Sequence, residues 1–422
     1  MNFKTSLSFA KEMDENDPLK DFRKQFIFPS FHKNQIRYFT GNSLGLQPIT
    51  TREIIGEELD DWAHFGVDGH FESRRPWYSY HEQLTKMASE IVGAKEIETV
   101  ITHSLTTNIH LLMVSFYQPK GGRRKILCEK KAFPSDQYAI QSQLKFHGYS
   151  KEDLIEVGPR EGEHTIRHED IISAINENQE ELALVFIGGV NYYTGQYFNL
   201  KEITKAGHDA GAYVGFDLAH AAGNVNLKLH DWDVDFAMWC SYKYLNSSPG
   251  GVSGLFVHER HADNSSLPRF AGWWGHDKEQ RFMMEDEFYP IKGAEGWQLS
   301  NAPVLGMAAH LASLQIFQEA GMQRIGQKRD HITAYLEFLL ENLNEKHEDF
   351  LEIITPKKPS ERGSQLSILF KKDGKGMFKK LTEAGIVADW REPNVIRVAP
   401  APLYVSYEDC WYFADILNQN VR

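Results

Sequence analysis

The chain has 422 residues, 41% of them hydrophobic and 25% charged, with a formal net charge of −12. This is the make-up of a soluble globular protein large enough for two domains, and the acidic balance speaks against nucleic acid or an anionic membrane as a partner. No apolar run reaches the roughly 18 residues that a bilayer span needs. The first twelve residues carry no apolar signal core, so a cytoplasmic protein is expected.

In chain order, residues 1–50 read as an irregular N-terminal arm ending in a turn-rich stretch at 39–48. Residues 81–92 spell an amphipathic helix, with Leu84, Met87, Ala88, Ile91 and Val92 on one face and Gly93 placed to end it. Residues 106–117 give a second, with Ile109, Leu112, Met113 and Phe116 together and Pro119 as the stop. The texture then alternates. Apolar runs of strand length at 125–128, 182–187, 213–217, 235–240 and 253–258 are interrupted by helical segments such as 201–210. That is the pattern of a mostly parallel sheet covered on both faces. Helices at 308–320 and 330–346 lead to a strand at 365–370, a helix at 376–384 and a strand at 395–399, a smaller α+β unit. The expected organisation is an α/β fold in three parts: the arm at 1–50 packing with the small domain, a large domain at 51–309 and a small C-terminal domain at 310–422. Three widely spaced cysteines, Cys128, Cys240 and Cys410, fit reduced thiols and support neither a disulfide framework nor a zinc site.

In an open α/β sheet, ligands sit beyond the C-terminal strand ends, against helix N-termini. Three segments should converge there. Residues 102–108 open the second helix, and its unpaired N–H groups with the hydroxyls of Thr106 and Thr107 suit a phosphate; the same pattern also makes an ordinary N-cap. In Phe133-Pro-Ser-Asp136 an aromatic face can stack on a planar ring and Asp136 can accept a hydrogen bond, or the motif simply starts a helix. The third segment is the most informative. Asp217 closes one buried run, with His220 three residues on. Lys243 follows the next buried run, twenty-six residues after Asp217 and ahead of the glycine-rich stretch at 249–254. An amine and an acid at neighbouring strand ends are what pyridoxal phosphate requires. The amine bonds the aldehyde carbon, and the acid keeps the pyridine nitrogen protonated so that the ring accepts electrons.

Other polar segments read more blandly. His230-Asp-Trp-Asp-Val-Asp235 lacks the central glycine and distal glutamate of a calcium loop, and Arg74-Arg75 reads as a solvated turn. Arg397 lies inside an apolar strand and needs either a structural ion pair or a substrate carboxylate. No Walker loop, Gly-x-Ser-x-Gly elbow or His-Glu-x-x-His helix occurs, and no metal is expected.

With these residues in place, the chain resembles the kynureninase family of pyridoxal-phosphate hydrolases, fold type I, over nearly its whole length. The likeness rests on residues 41–48, 132–136, 193–196, 215–221, 223–224, 239–246, 272–276, 299–301 and 396–400. It implies hydrolytic Cβ–Cγ cleavage of L-kynurenine, 3-hydroxy-L-kynurenine or both, giving anthranilate or 3-hydroxyanthranilate and L-alanine, in tryptophan catabolism or NAD biosynthesis. Carried over residue by residue, it implies Lys243 as the covalent anchor, Asp217 at the pyridine nitrogen with His220 beside it, and Phe133 stacked on the ring with Asp136 near its hydroxyl. Leu105, Thr106 and Tyr242 would contact the cofactor, with Tyr242 also the proton donor late in the reaction. Trp273 and Asn301 would line the site from the second subunit of a homodimer. Arg397 would bind the amino-acid carboxylate, while Ser43 and His70 would border the aryl ring. The combination of His70, Ser300 and Asn301 would favour the 3-hydroxy substrate, because a ring hydroxyl needs a polar partner. Gly188 departs from the family's frequent serine. Rival readings are a class V aminotransferase, a cysteine desulfurase, which needs a mobile nucleophilic cysteine that none of the three suits, and a pyridoxal-binding regulator without turnover.

Overall fold

The structure is a computed structural model that describes residues 2–31, 33, 35–347 and 350–421. Among the described residues, seven strands form the main sheet: β1 (Thr99–Ile101), β2 (Lys125–Glu129), β3 (Leu154–Val157), β4 (Leu182–Gly188), β5 (Tyr213–Asp217), β6 (Phe236–Cys240) and β7 (Ser253–Val257). Their spatial order is β3–β2–β4–β5–β6–β7–β1. Pairs from β3 through β6 are parallel, while β7 runs antiparallel to both β6 and β1. The sheet is therefore mostly parallel, and its C-terminal ends of β2, β4, β5 and β6 open on one edge.

The strands are apolar throughout because both faces are covered. Leu184 and Phe186 of β4 join one core cluster and Val185 and Ile187 the other, the two-residue period that divides a strand between opposite faces. Residues of β5, β6 and β7 divide in the same way, and burying each large side chain contributes roughly 1.5–3 kcal/mol. The helix read at 81–92 spans Glu82–Val92 and closes on Gly93 at φ 63°, the left-handed position that glycine takes without strain.

A second sheet, entirely antiparallel, is built from β8 (Leu351–Ile353), β9 (Leu366–Phe370), β10 (Asp389–Arg391) and β11 (Val395–Val398), in the order β8–β9–β11–β10. The helix Val304–Ala320 and the helix Met322–Lys346, separated by Gly321, precede it. Residues 1–50 are less irregular than expected. They open with a helix, Leu7–Glu15, capped by Ser6 and packed on the C-terminal helix Tyr407–Asn420. Asp14 accepts hydrogen bonds from the Tyr407 and Glu408 N–H groups that open that C-terminal helix. Such a short helix gains its stability from this packing rather than from propensity. Downstream, Arg37–Tyr38 pairs in parallel with Ile386–Val387, and Gly45 N–H donates to the Tyr242 carbonyl at 2.8 Å. A side chain at Gly45 would meet the Lys243 carbonyl at 2.4 Å, so only glycine lets this turn lie on the loop after β6.

Candidate active site

A cavity opens at the C-terminal strand ends, lined among others by Leu105, Thr106, Phe133, Asp136, Asp217, His220, Tyr242 and Lys243. They arrive in pairs from four parts of the fold. Asp217 ends β5, Tyr242 and Lys243 follow β6, Leu105 and Thr106 begin the helix Leu105–Phe116, and Phe133 precedes the helix Pro134–Phe146. Lys243 is 8% exposed and Asp217 6% exposed, so neither is a solvated surface charge. The Lys243 Nζ lies 3.0 Å from His220 Nε2 and 5.6 Å from the centre of the Phe133 ring.

The electrostatics of this cavity are unbalanced. Asp217 accepts a hydrogen bond from the Ala219 N–H at 2.7 Å. Burial raises its pKa, and the charge of Lys243 opposes the shift. Asp136, also buried, is raised well above the usual carboxylate range by desolvation and by the neighbouring Asp217. Glu129, at the end of β2, is pushed up to about 7 by burial, although its carboxylate accepts the Gly188 N–H at 3.1 and 3.3 Å. Burial and the charge of Lys243 hold His220 far below the usual histidine range, so its imidazole is neutral. Three buried carboxyl groups thus share the wall with one lysine, and the His220 Nδ1 has no hydrogen-bond partner among the described residues.

These features fit pyridoxal phosphate. A protonated pyridine nitrogen would supply the positive charge that Asp217 lacks, the exposed face of Phe133 offers a stacking surface, and the buried amine lies within the same cavity. Opposite, Ser104 makes no side-chain cap to the helix Leu105–Phe116 and its hydroxyl bonds Thr107 instead at 2.9 Å. The first N–H groups of that helix therefore remain available to a phosphate, with the helix dipole behind them.

Several expected residues stay outside this cavity within one chain. Trp273, Ser300 and Asn301 are exposed and line no part of its wall, and Ser43 is exposed on the turn that precedes Gly45. His70 bonds the Val67 carbonyl through Nδ1 at 2.9 Å and sits edge-on to Trp77. Arg397 is 1% exposed and donates to Asp389 and to the Tyr192 carbonyl, so the ion-pair alternative left open by the sequence is realised in this state. In the Arg74–Arg75 turn Arg74 is solvated as expected, while Arg75 is largely covered and pairs with Glu57 and Glu58. His230, Asp233 and Asp235 belong to an ion-pair network with His208, His258, Arg260 and His261. Sequence reasoning missed Glu129, Tyr192 and Asp389. An acid closing an apolar strand was the available signal for Glu129; Asp389 required knowing the hairpin register.

The sheet order, its single reversed strand and the buried lysine–aspartate pair define a fold-type-I pyridoxal-phosphate architecture. A cysteine desulfurase from Escherichia coli superposes with a TM-score of 0.75 over 95% of this chain and 98% of its own, at 15% identity. One from Thermococcus onnurineus gives 0.70 over 97% and 98%, at 17% identity; likeness this remote carries the fold alone. The sequence comparisons go further. A family model described as the kynureninase C-terminal domain matches residues 325–417. A kynureninase from Flavobacterium johnsoniae is 57% identical over 100% of this chain and 99% of its own length, and one from Mus musculus is 46% identical over 97% and 92%. The chain belongs to the kynureninase family.

Proposed function

We propose that the protein hydrolyses the Cβ–Cγ bond of L-kynurenine, of 3-hydroxy-L-kynurenine or of both, using pyridoxal 5′-phosphate and releasing anthranilate or its 3-hydroxy analogue with L-alanine. The observation that carries this reading is the burial of Lys243 in one cavity with Asp217, in a chain aligned end to end with kynureninases. A desulfurase reading has no nucleophile: all three cysteines are buried, and burial raises each thiol pKa.

When bound, pyridoxal phosphate supplies an electron sink conjugated to the substrate Cα. The residues do the rest. Arg397 holds the α-carboxylate and thereby fixes which Cα bond faces Lys243. The Lys243 amine would take the Cα proton. Asp217 would keep the pyridine nitrogen protonated, and Phe133 would offer its ring as a stacking surface. Water adds to the aryl ketone, the Cβ–Cγ bond breaks, and Cβ must then gain a proton. Tyr242 is placed for that step: burial raises its pKa, which keeps the phenol protonated. Thr106 and Tyr242 would hold the phosphate, with Leu105 against the cofactor. At Gly188 the family's serine is replaced by a backbone N–H that Glu129 already engages.

The homodimer belongs to the same proposal. Phe71, Trp273 and Phe282 are exposed, and with Tyr78 they make a continuous aromatic face: Phe282 lies 6.4 Å from Phe71, 5.8 Å from Tyr78 and 5.6 Å from Trp273. Trp62, Val67, Met283 and Met284 are exposed as well. Apolar surface of this kind marks a partner contact. His70 precedes Phe71, and the 272–273 turn packs on Leu299 beside Ser300 and Asn301. On this reading His70, Trp273, Ser300 and Asn301, which do not reach their own cavity, would meet a second copy and complete its site. A cytoplasmic location and a role in tryptophan breakdown or NAD synthesis follow from the same reading; no helix among the described residues is long and apolar enough to cross a membrane.

The test is direct. Incubation with pyridoxal phosphate should give a visible absorbance that Lys243→Ala lacks, and the loaded protein should release anthranilate and alanine from kynurenine but no sulfide from cysteine. Absence of the chromophore in the wild type overturns the reading. Steady-state comparison of the two kynurenines assigns the substrate.

A further inference from the structure

Strands β10 and β11 form a hairpin whose register sets Asp389 directly opposite Arg397. The Asp389 Oδ2 accepts from Arg397 Nε at 2.5 Å and also from Arg397 Nη2, while the Tyr192 carbonyl accepts from Nη1. Gln365 holds the same carbonyl through Nε2 at 3.1 Å. Arg391, two residues beyond Asp389, donates to the same Oδ2 through its own Nε at 3.1 Å. Tyr192 lines the cavity together with Asp217, His220 and Lys243; Arg397 does not line it, and these contacts seat its guanidinium behind Tyr192, near enough for its charge to act on His220.

The donor count is informative. A guanidinium carries five N–H groups. Asp389 takes the one on Nε and one on Nη2, and Tyr192 takes one on Nη1. One N–H on each terminal nitrogen has no acceptor among the described residues, and two such donors, one from each nitrogen, can grip a carboxylate through two parallel bonds. The charge count agrees. Two guanidiniums share one carboxylate, which leaves one positive charge uncompensated beside a buried cavity.

We propose that Asp389 is a positioning residue of the substrate-carboxylate subsite. It clamps Arg397 along one edge so that the end-on N–H pair faces the α-carboxylate, and by sharing its charge with Arg391 it leaves the cluster one negative charge short of neutral. The inference rests on the function proposed above. Removing Asp389 has two opposed effects. It takes away a carboxylate that repels the incoming one, and it releases a buried guanidinium to turn toward other acceptors. The clamp dominates, because bidentate recognition fails once the fork turns, whereas the repulsion is offset by Arg391.

The experiment uses the cofactor-loaded protein and two probes: L-alanine, which carries the carboxylate, and ethylamine, which is the same molecule without it. Each is titrated by its effect on cofactor absorbance. In Asp389→Ala, alanine affinity and the KM for kynurenine should worsen at least tenfold, while kcat stays within about threefold, ethylamine affinity is unchanged and the cofactor is retained. Asp389→Asn keeps an oxygen acceptor for the fork and should recover most of the loss. Should the alanine variant not fold, Asp389→Leu, which fills the same space without an acceptor, takes its place and should show the same loss. Unchanged or tighter alanine binding in Asp389→Ala, or in Asp389→Leu where that replaces it, overturns the proposal, as does equal weakening of alanine and ethylamine. A wild-type protein that bound no cofactor or left kynurenine intact would instead overturn the function on which the inference rests.

Discussion

Asp217 and Asp235 are both buried aspartates of the same sheet, one the last residue of β5 and one just before β6, yet their environments are opposite. Asp235 accepts the Val214 N–H at 2.7 Å, His208 at 2.9 Å, His261 at 2.9 Å and Arg260 at 2.5 Å. Burial pushes its pKa up, but these hydrogen bonds and the Arg260 charge outweigh burial and hold the carboxyl well below the usual range. Asp217 accepts a single backbone N–H at 2.7 Å, shares its surroundings with two more buried carboxyls, and its pKa is raised. A carboxylate whose partners all come from the chain is a structural part. One left short of positive charge is waiting for a ligand that carries it.

Conservative substitution of each aspartate separates the two roles most sharply. Asp235→Asn strands His208, His261 and Arg260 around a neutral amide and should destabilise the fold by about 3–5 kcal/mol in denaturant titrations. Because the folded pKa of Asp235 is depressed, the stability it contributes is complete above its unfolded value near 3.9 and is lost as pH falls below that; the variant should lack this acid-induced loss. Asp217→Asn should leave the stability of the cofactor-free protein within about 1 kcal/mol of wild type, or improve it, because an unfavourable buried charge is removed. Its kynurenine cleavage should nevertheless fall by at least 100-fold. If Asp217→Asn unfolds as readily as Asp235→Asn, the distinction fails.

Glu129 extends the contrast to pH. Its folded pKa of about 7 lies above the ordinary 4.5, raised chiefly by burial. A raised carboxyl pKa contributes stability that is complete below the unfolded value and lost as pH rises through the folded one. Cofactor-free wild type should therefore lose up to about 3 kcal/mol relative to Glu129→Gln between pH 4.5 and 8.5. The glutamine still accepts the Gly188 N–H, so parallel stability curves for the two proteins would show that Glu129 ionises without cost.

Arg397→Ala removes the basic partner that Asp389 and Tyr192 hold. It should raise the KM for kynurenine about 10–100-fold while cofactor affinity, read by absorbance titration, stays at the wild-type value. Equal loss of both would show that Arg397 supports the cavity as a whole.

The buried lysine–aspartate pair was legible because β5 and β6 are continuous apolar runs whose ends are unmistakable, and because the mostly parallel order places such ends together. Other parts depend on partners that sequence does not display. Thr99–Ile101 is three residues long and is a strand only through pairing with β7. Leu154–Val157 is a short edge strand against β2. The helix Leu7–Glu15 draws its order from Tyr407–Asn420, nearly the whole chain away. In the site, Phe133, Asp136 and Thr106 announced themselves by motif, whereas Asp389 acquires meaning only when the hairpin brings it opposite Arg397. Trp273, Ser300 and Asn301 came from family resemblance, and a single chain leaves them outside the cavity, since the partner that would use them is not encoded in spacing at all.

The smallest expected effect comes from Gly188, which lies between Asp217 and Glu129: opposite Asp217 in the β4–β5 register and bonded through its N–H to Glu129. A Cβ at position 188 would stand 2.8 Å from Glu129 Oε1, closer than atoms tolerate, and its other neighbours lie at 3.8 Å. The clash is with the far end of a flexible side chain, so Glu129 can swing aside, but it then gives up the Gly188 N–H. Gly188→Ala should thus cost no more than about 1 kcal/mol, the worth of one hydrogen bond. In Gly188→Ala the pH-dependent loss attributed to Glu129 should shrink if the carboxylate swings toward water and grow if it is driven toward Asp217. Thermal melts of the cofactor-free variant at pH 5 and pH 8.5 distinguish the two displacements.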